Sequence, residues 1–140
     1  MSKKFKILLE YIKDLSIETP DAETLIFVKE NIGNYQMNID IKSKALKNKM
    51  IEVSTRLTFE DKKNSEKKSY FEIIYASIIR VDDKIEKKDE IEKIVLCDVQ
   101  NEIYPKLEKI FLNLLKDAGF PEMKLQKKID FEKLYTDRLN

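Results

Sequence analysis

The sequence predicts an α+β fold: a four-stranded antiparallel sheet followed by a long amphipathic helix and a short C-terminal helix. Three observations carry this. Up to Val81, apolar residues recur at every second position in separate runs, the period of a strand with one buried face. Beyond Ile91 they recur at every third or fourth position, the period of a helix with an apolar stripe. The strand-like runs all precede the helical ones, which is the α+β order.

Phe5, Ile7, Leu9, Tyr11, Leu15 and Ile17 all stand at odd positions, so a first strand is expected with these side chains on its buried face. Lys13 breaks the series and marks a place for a bulge. Thr19-Pro20-Asp21 ends the strand, because proline has no N–H for the ladder and favours a turn. Ala22 to Asn34 holds neither period over a useful length and reads as a long loop. It carries Leu25, Ile26, Phe27, Val28 and Ile32, and a loop so apolar is expected to be functional or tucked against the fold. Tyr35, Met37, Ile39 and Ile41 alternate with polar residues and give a second strand. Ile51, Val53, Thr55, Leu57 and Phe59 give a third, and the β-branched and aromatic run Tyr70 to Val81 a fourth. The short polar connections, Ser43 to Lys49 and Glu60 to Lys68, favour an antiparallel meander.

Ile91, Ile94 and Val95 suggest a short helix. Ile103, Leu107, Ile110, Phe111, Leu114 and Ala118 form the stripe of a longer one, with Pro105 in its first turn and Gly119-Phe120-Pro121 at its stop. Asp130 can cap a last helix whose apolar face is Phe131, Leu134, Tyr135 and Leu139. With no internal repeat or low-complexity linker, the 140 residues suit one domain spanning 1–140.

Composition excludes more than it selects. Hydrophobic residues make up 42% and charged residues 38%, with a net charge of +1, so the basic excess of a nucleic-acid binder is missing. There is no histidine, which removes the Ser-His-Asp triad and His-based zinc sites. Cys97 is the only cysteine, so neither an intrachain disulfide nor a Cys-rich zinc site can form; among Val95, Leu96 and Val99 it reads as a small core residue. Gly33 and Gly119 are the only glycines, too few for a phosphate-cradling loop. No cofactor, metal or catalytic constellation is expected. The basic start Met1 to Lys6 leads into an apolar stretch broken by Lys6 and Glu10, neither a signal peptide nor a membrane span, so a cytoplasmic protein is expected. The Lys pairs at Lys62, Lys67, Lys87 and Lys127 read as solvated loop charges.

Several stretches resemble one known family. They are YIKDLSIETPDAE (Tyr11 to Glu23), NEIYPKLEKIFLNLLKDAGFPEM (Asn101 to Met123) and IDFEKLY (Ile129 to Tyr135). Their order and spacing around the strands are similar to those of the bacterial protein-export chaperones of the SecB family, over nearly the whole chain. Differences are visible too. The family is usually more acidic, its common Gly-Gly of strand four is Ala76-Ser77 here, and Ile32 lies near the place of a common tryptophan. The sequence ends at Asn140, ahead of the acidic tail frequent in the family.

The resemblance implies a cytoplasmic homotetramer, a dimer of dimers, that holds unfolded precursor proteins and passes them to the translocase motor SecA without nucleotide or catalysis. It implies a client groove with Leu25, Phe27 and Ile32 on one wall and Phe131, Leu134 and Tyr135 on the other. An exposed apolar and aromatic groove suits an unfolded chain, because area and stacking bind scattered apolar side chains with little sequence preference. The same residues could equally dock their segments onto the sheet. The resemblance further implies a docking face for a basic zinc-binding segment of SecA, carried onto Asp14, Glu18, Tyr70 and Glu72. Asp14, Ser16 and Glu18 share one parity, as do Tyr70 and Glu72; the alternative is an ordinary solvated sheet face. Lys106, Glu108, Lys109, Asn113 and Lys116 on the long helix would meet a counterpart helix or face solvent. Rival functions are a chaperone of a toxin–antitoxin pair on the same fold, or an adaptor or structural oligomer without clients.

Overall fold

The computed structural model describes residues 4–123 and 129–139, with the side chains of 138 and 139 left aside. Lys127, Leu139 as a helix-face side chain, and the first three residues of the basic start therefore lie outside the described residues. The strands are β1 (Phe5–Glu18), β2 (Tyr35–Ala45), β3 (Met50–Asp61) and β4 (Tyr70–Val81). They form one four-stranded sheet in the order β1-β4-β3-β2, with every neighbouring pair antiparallel. The meander β2–β3–β4 follows from the short turns, one of which places Asn48 and Lys49 at positive φ. β1 closes against β4, so β1 and β2 are the edges.

Opposed residues in an antiparallel pair share a face, and the register of β1 shows where its sequence pattern misleads. The pairing steps from Ile7↔Ile79 to Leu9↔Ile78, and again from Ile12↔Tyr75 to Asp14↔Ile74. Each step adds one residue to β1 and exchanges its faces. Phe5, Ile7, Glu10, Ile12, Leu15 and Ile17 therefore face the helices, whereas Leu9 and Tyr11 stand on the opposite face, 62% and 40% exposed. The bulge at Lys13 agrees with the break in the pattern. The one at Leu8 is masked by apolar neighbours, and it overturns the expected burial of Leu9 and Tyr11.

The segment after β1 is not a loop. Asp21 caps a helix, α1 (Ala22–Glu30), by accepting a 2.7 Å hydrogen bond from the Thr24 N–H, and a 3-10 turn at Ile32–Asn34 follows. The four consecutive apolar residues Leu25 to Val28 hide any helical period, because they point all round the axis. Val28 and Thr24 are buried, Leu25 packs on the core and Ile26 is exposed. The turn before α1 is tied to the start of β4 by Thr19 Oγ1 and Ser69 Oγ, 2.7 Å apart.

The expected short helix and long helix are one run. α2 (Lys88–Lys93), a π turn (Ile94–Asp98) and α3 (Val99–Asp117) follow without interruption. Pro105 consequently lies inside α3 and not in a first turn. The fully buried ridge of α3 is Ile103, Leu107, Phe111 and Leu115, a spacing of four that lays one row of side chains across the sheet. Leu115 takes the place expected for Leu114, which is only partly buried. Beyond the ridge, Phe120 meets Phe71 edge-on at 5.4 Å, and Phe71 in turn touches Tyr35 and Phe59 at 6.1 and 5.9 Å.

The helix stop follows its sequence signal. Phe120 N–H donates to the Leu115 carbonyl and Gly119 N–H to that of Lys116, the paired bonds of a Schellman ending, with Gly119 at φ 108°. A Cβ at Gly119 would lie 3.1 Å from Leu25 Cδ1. Gly119→Ala should therefore lose about 1–2 kcal/mol of stability, because both backbone strain and the α1 contact oppose it. Urea denaturation measures this; an unchanged midpoint would show that the helix end and α1 readily shift.

Candidate functional site

α4 (Phe131–Leu139) returns to the open edge of the sheet, beside β2. Asp130 caps it, accepting from the Lys133 N–H at 3.0 Å. Its first residue, Phe131, is buried against Tyr104 with ring centroids 5.5 Å apart and planes at 63°. Tyr104 in turn donates its hydroxyl to Met37 Sδ at 3.6 Å, and burial pushes its pKa up to about 12. Further along, the Tyr135 hydroxyl donates to the Asp89 carbonyl at 3.4 Å. α4 thus touches β2, α3 and the start of the helix run.

Between α4 and β2 lies a cleft of about 150 Å³ lined by Ile39, Asp40, Ile41, Leu96, Phe131, Leu134 and Tyr135. Three successive strand residues can line one cleft only because β2 is an edge. Leu134 is 51% exposed on its rim. The thiol of Cys97, buried beside Phe131, is held above its usual pKa by burial.

Phe131, Leu134 and Tyr135 meet in this cleft. Leu25, Phe27 and Ile32 are not among its lining residues. Leu25 packs beside Gly119, Phe27 is half-buried on α1, and Ile32 opens the turn that leads into β2. Ile39, Ile41 and Leu96 were missed as cleft residues. Their alternation marks Ile39 and Ile41 as buried strand residues, but nothing in the pattern says that β2 is an edge.

The face of the sheet turned away from the helices is uncovered. Glu18 opposes Tyr70, Ser16 opposes Glu72 and Asp14 opposes Ile74, so the residues singled out for docking share this face. They are not equivalent. Glu72 is only 8% exposed and receives Arg56 through Nε and Nη2, each at 3.1 Å, with the Tyr70 hydroxyl as a further donor. Arg56, then Tyr70, hold the Glu72 carboxyl below its usual range. Nearby, Lys13 pairs with Glu52. Asp14 and Glu18 are exposed and have no ion-pair partner among the described residues. Leu9 and Tyr11 form an exposed apolar strip on the same face, nearer the start of β1, with the fully buried Ala76 opposite Tyr11.

A larger, open hollow of about 690 Å³ borders the free edge of β1 and includes Glu10, Arg80, Asp82, Glu102 and Lys106. Lys106 pairs with Glu10 at 3.0 Å, and Glu10 also accepts from Tyr75 at 3.3 Å. Its mixed charges suit apolar chain segments less well than the cleft beside α4.

The scaffold is α+β, with an apolar cleft at one sheet edge and an uncovered sheet face. The sequence model of the family described as preprotein translocase subunit SecB matches residues 1–140. The chain is 56% identical over 140 residues to a putative protein-export protein SecB of Pelagibacter ubique, covering 100% of both chains. It is 25% identical over 135 residues to the protein-export protein SecB of Parvibaculum lavamentivorans, covering 96% of this chain and 79% of that one. Among solved structures, a SecB-like chaperone of Mycobacterium tuberculosis in complex with a ChAD peptide from an antitoxin has a TM-score of 0.67 at 10% identity, covering 90% and 88%. The chain belongs to the SecB family, and so to the chaperones of protein export.

Because the Glu72 pKa is lowered in the folded state, its pairing stabilises the fold above the ordinary carboxylate range and is lost as pH falls through the lowered value. Glu72→Gln should cost about 1 kcal/mol near neutral pH, a figure reduced for the exposure of Arg56. The gap from the parent should close in acid. Urea midpoints measured from neutral pH downward test this, and a gap that does not change with pH would contradict it.

Proposed function

We propose that this chain, as a single domain over residues 1–140, is a cytoplasmic, non-enzymatic holding chaperone that assembles as a homotetramer. It captures unfolded precursor segments in the β2–α4 cleft and delivers them to SecA through the uncovered sheet face. The observation that carries this reading is the cleft itself: apolar, at a sheet edge and rimmed by exposed Leu134. A small cleft takes one or two side chains of an unfolded chain at a time, so capture relies on several weak contacts. A longer segment would run along β2 past Met37 to the turn at Ile32, where Leu25 and Phe27 of α1 form the outer reach of the groove. The net charge of +1 offers no general attraction to nucleic acid, and among the described residues no helix is long and apolar enough to cross a membrane.

Docking to the motor rests on Asp14 and Glu18, exposed acids at the β1 edge of the face, and not on Glu72, whose charge Arg56 already balances. Tyr70, opposite Glu18, and the apolar strip of Leu9 and Tyr11 toward the start of β1 would extend the contact on the same face. The resemblance of the Mycobacterium tuberculosis protein, at 10% identity, supports the fold and leaves the toxin–antitoxin role without further support.

Leu134→Asp should weaken capture of an unfolded precursor by at least about tenfold, as expected when an apolar rim contact becomes a charge, with the melting temperature unchanged. Unchanged affinity in the folded variant would remove the cleft from the account. Asp14→Lys with Glu18→Lys should abolish binding of the basic SecA segment while leaving client capture intact. The parent's binding should fall with added salt, since exposed charges are screened within about 8–10 Å. Equal binding by parent and charge-reversed protein would make the acid pair mere solvated surface.

A further inference from the structure

The helix run beneath the cleft changes winding at Ile94–Asp98, where Val99 N–H reaches the carbonyl of Ile94. A π turn adds one residue to a helix, shifts the side chains on either side of it and is intrinsically less favourable than α-helix. Something must hold it. Gln100 and Thr55 are both fully buried. The Thr55 hydroxyl donates to Gln100 Oε1 at 3.1 Å and accepts from Gln100 Nε2 at 3.0 Å. The same Nε2 reaches the Val95 carbonyl inside the turn at 3.4 Å. One side chain thereby ties β3, the first turn of α3 and the π turn together. Two residues of the turn reach the cleft region: Leu96 lines the cleft, and Cys97 packs with Phe131 behind it.

We propose that Gln100, held by Thr55, is a positioning residue for the client cleft: it sets the π turn and so the placement of Leu96 and Cys97 opposite α4. This rests on the reading of the cleft as the client site. A merely structural pair would behave differently. Replacing both members of a buried polar pair by apolar groups of similar shape is close to neutral for stability. Thr55→Val with Gln100→Leu keeps the helix–sheet contact filled but leaves the Val95 carbonyl without its side-chain donor.

Cys97 is the only cysteine and lies within the turn, so its reaction with a chromogenic thiol reagent reports opening there. The experiment compares the parent, the double variant and Gln100→Met. It follows labelling at several low urea concentrations, and release of a reduced, carboxymethylated unfolded protein. In both variants, labelling should be about tenfold faster, the loss of roughly one hydrogen bond, through a local opening that urea hardly accelerates. Client release should quicken by a similar factor, while the double variant keeps the parental unfolding midpoint. Parental labelling rates, or labelling that rises only in step with global unfolding, overturn the inference alone. A parent that labels slowly but captures no unfolded chain overturns the client reading and this inference with it.

Discussion

The contact between α3 and the inner face of the sheet determines most of what this protein exposes. Ile103, Leu107, Phe111 and Leu115 repeat every four residues and are all fully buried. Burying each such side chain is worth about 1.5–3 kcal/mol. The helix run covers the inner face of a four-stranded sheet and leaves the outer face bare. It also leaves the β2 edge to α4, whose docking residue Phe131 sits on Tyr104 of α3. Both surfaces to which function is assigned thus follow from how one helix is seated.

The sheet separates those surfaces. Opposed residues of neighbouring strands share a face, so Ile39 and Ile41 look toward the cleft side and Asp14 and Glu18 look the opposite way. On the proposed reading, a client held beside α4 would therefore not compete for area with a partner on the outer face. The bulges of β1 contribute to both sides. They turn Glu10 inward to Tyr75 and Lys106, and they turn Leu9 and Tyr11 outward beside Asp14. The outer face gains an apolar strip whose acids are only partly neutralised.

Much of the fold was legible because its local signals agree with its tertiary structure. The strands β2 and β3 alternate, β4 is rich in β-branched and aromatic residues, Asp130 caps, and Gly119 stops a helix where the chain needs a positive φ. The failures have physical causes. α1 lacks an apolar stripe, since Leu25 to Val28 are consecutive and its start rests on the Asp21 cap after a proline. The bulge at Leu8 sits between two apolar residues, where a face exchange leaves no mark in the sequence. The π turn lies in a segment buried on nearly all sides, so its extra residue breaks no visible stripe. For the site, the side chains on α4 were named from a family resemblance, whereas Leu96 and the β2 edge depend on strand order, which residue patterns do not encode. Glu72 reads as a free acid until its register beside Arg56 is known.

Amide hydrogen exchange of the protein, with and without a saturating unfolded precursor, tests most directly whether the cleft and the open face are separate sites. Client binding should protect residues 39–41, 94–99 and 131–135 while leaving β1 residues 9–18 unchanged. Protection concentrated on β1 and the outer face, with α4 and the β2 edge exchanging as before, would contradict the account.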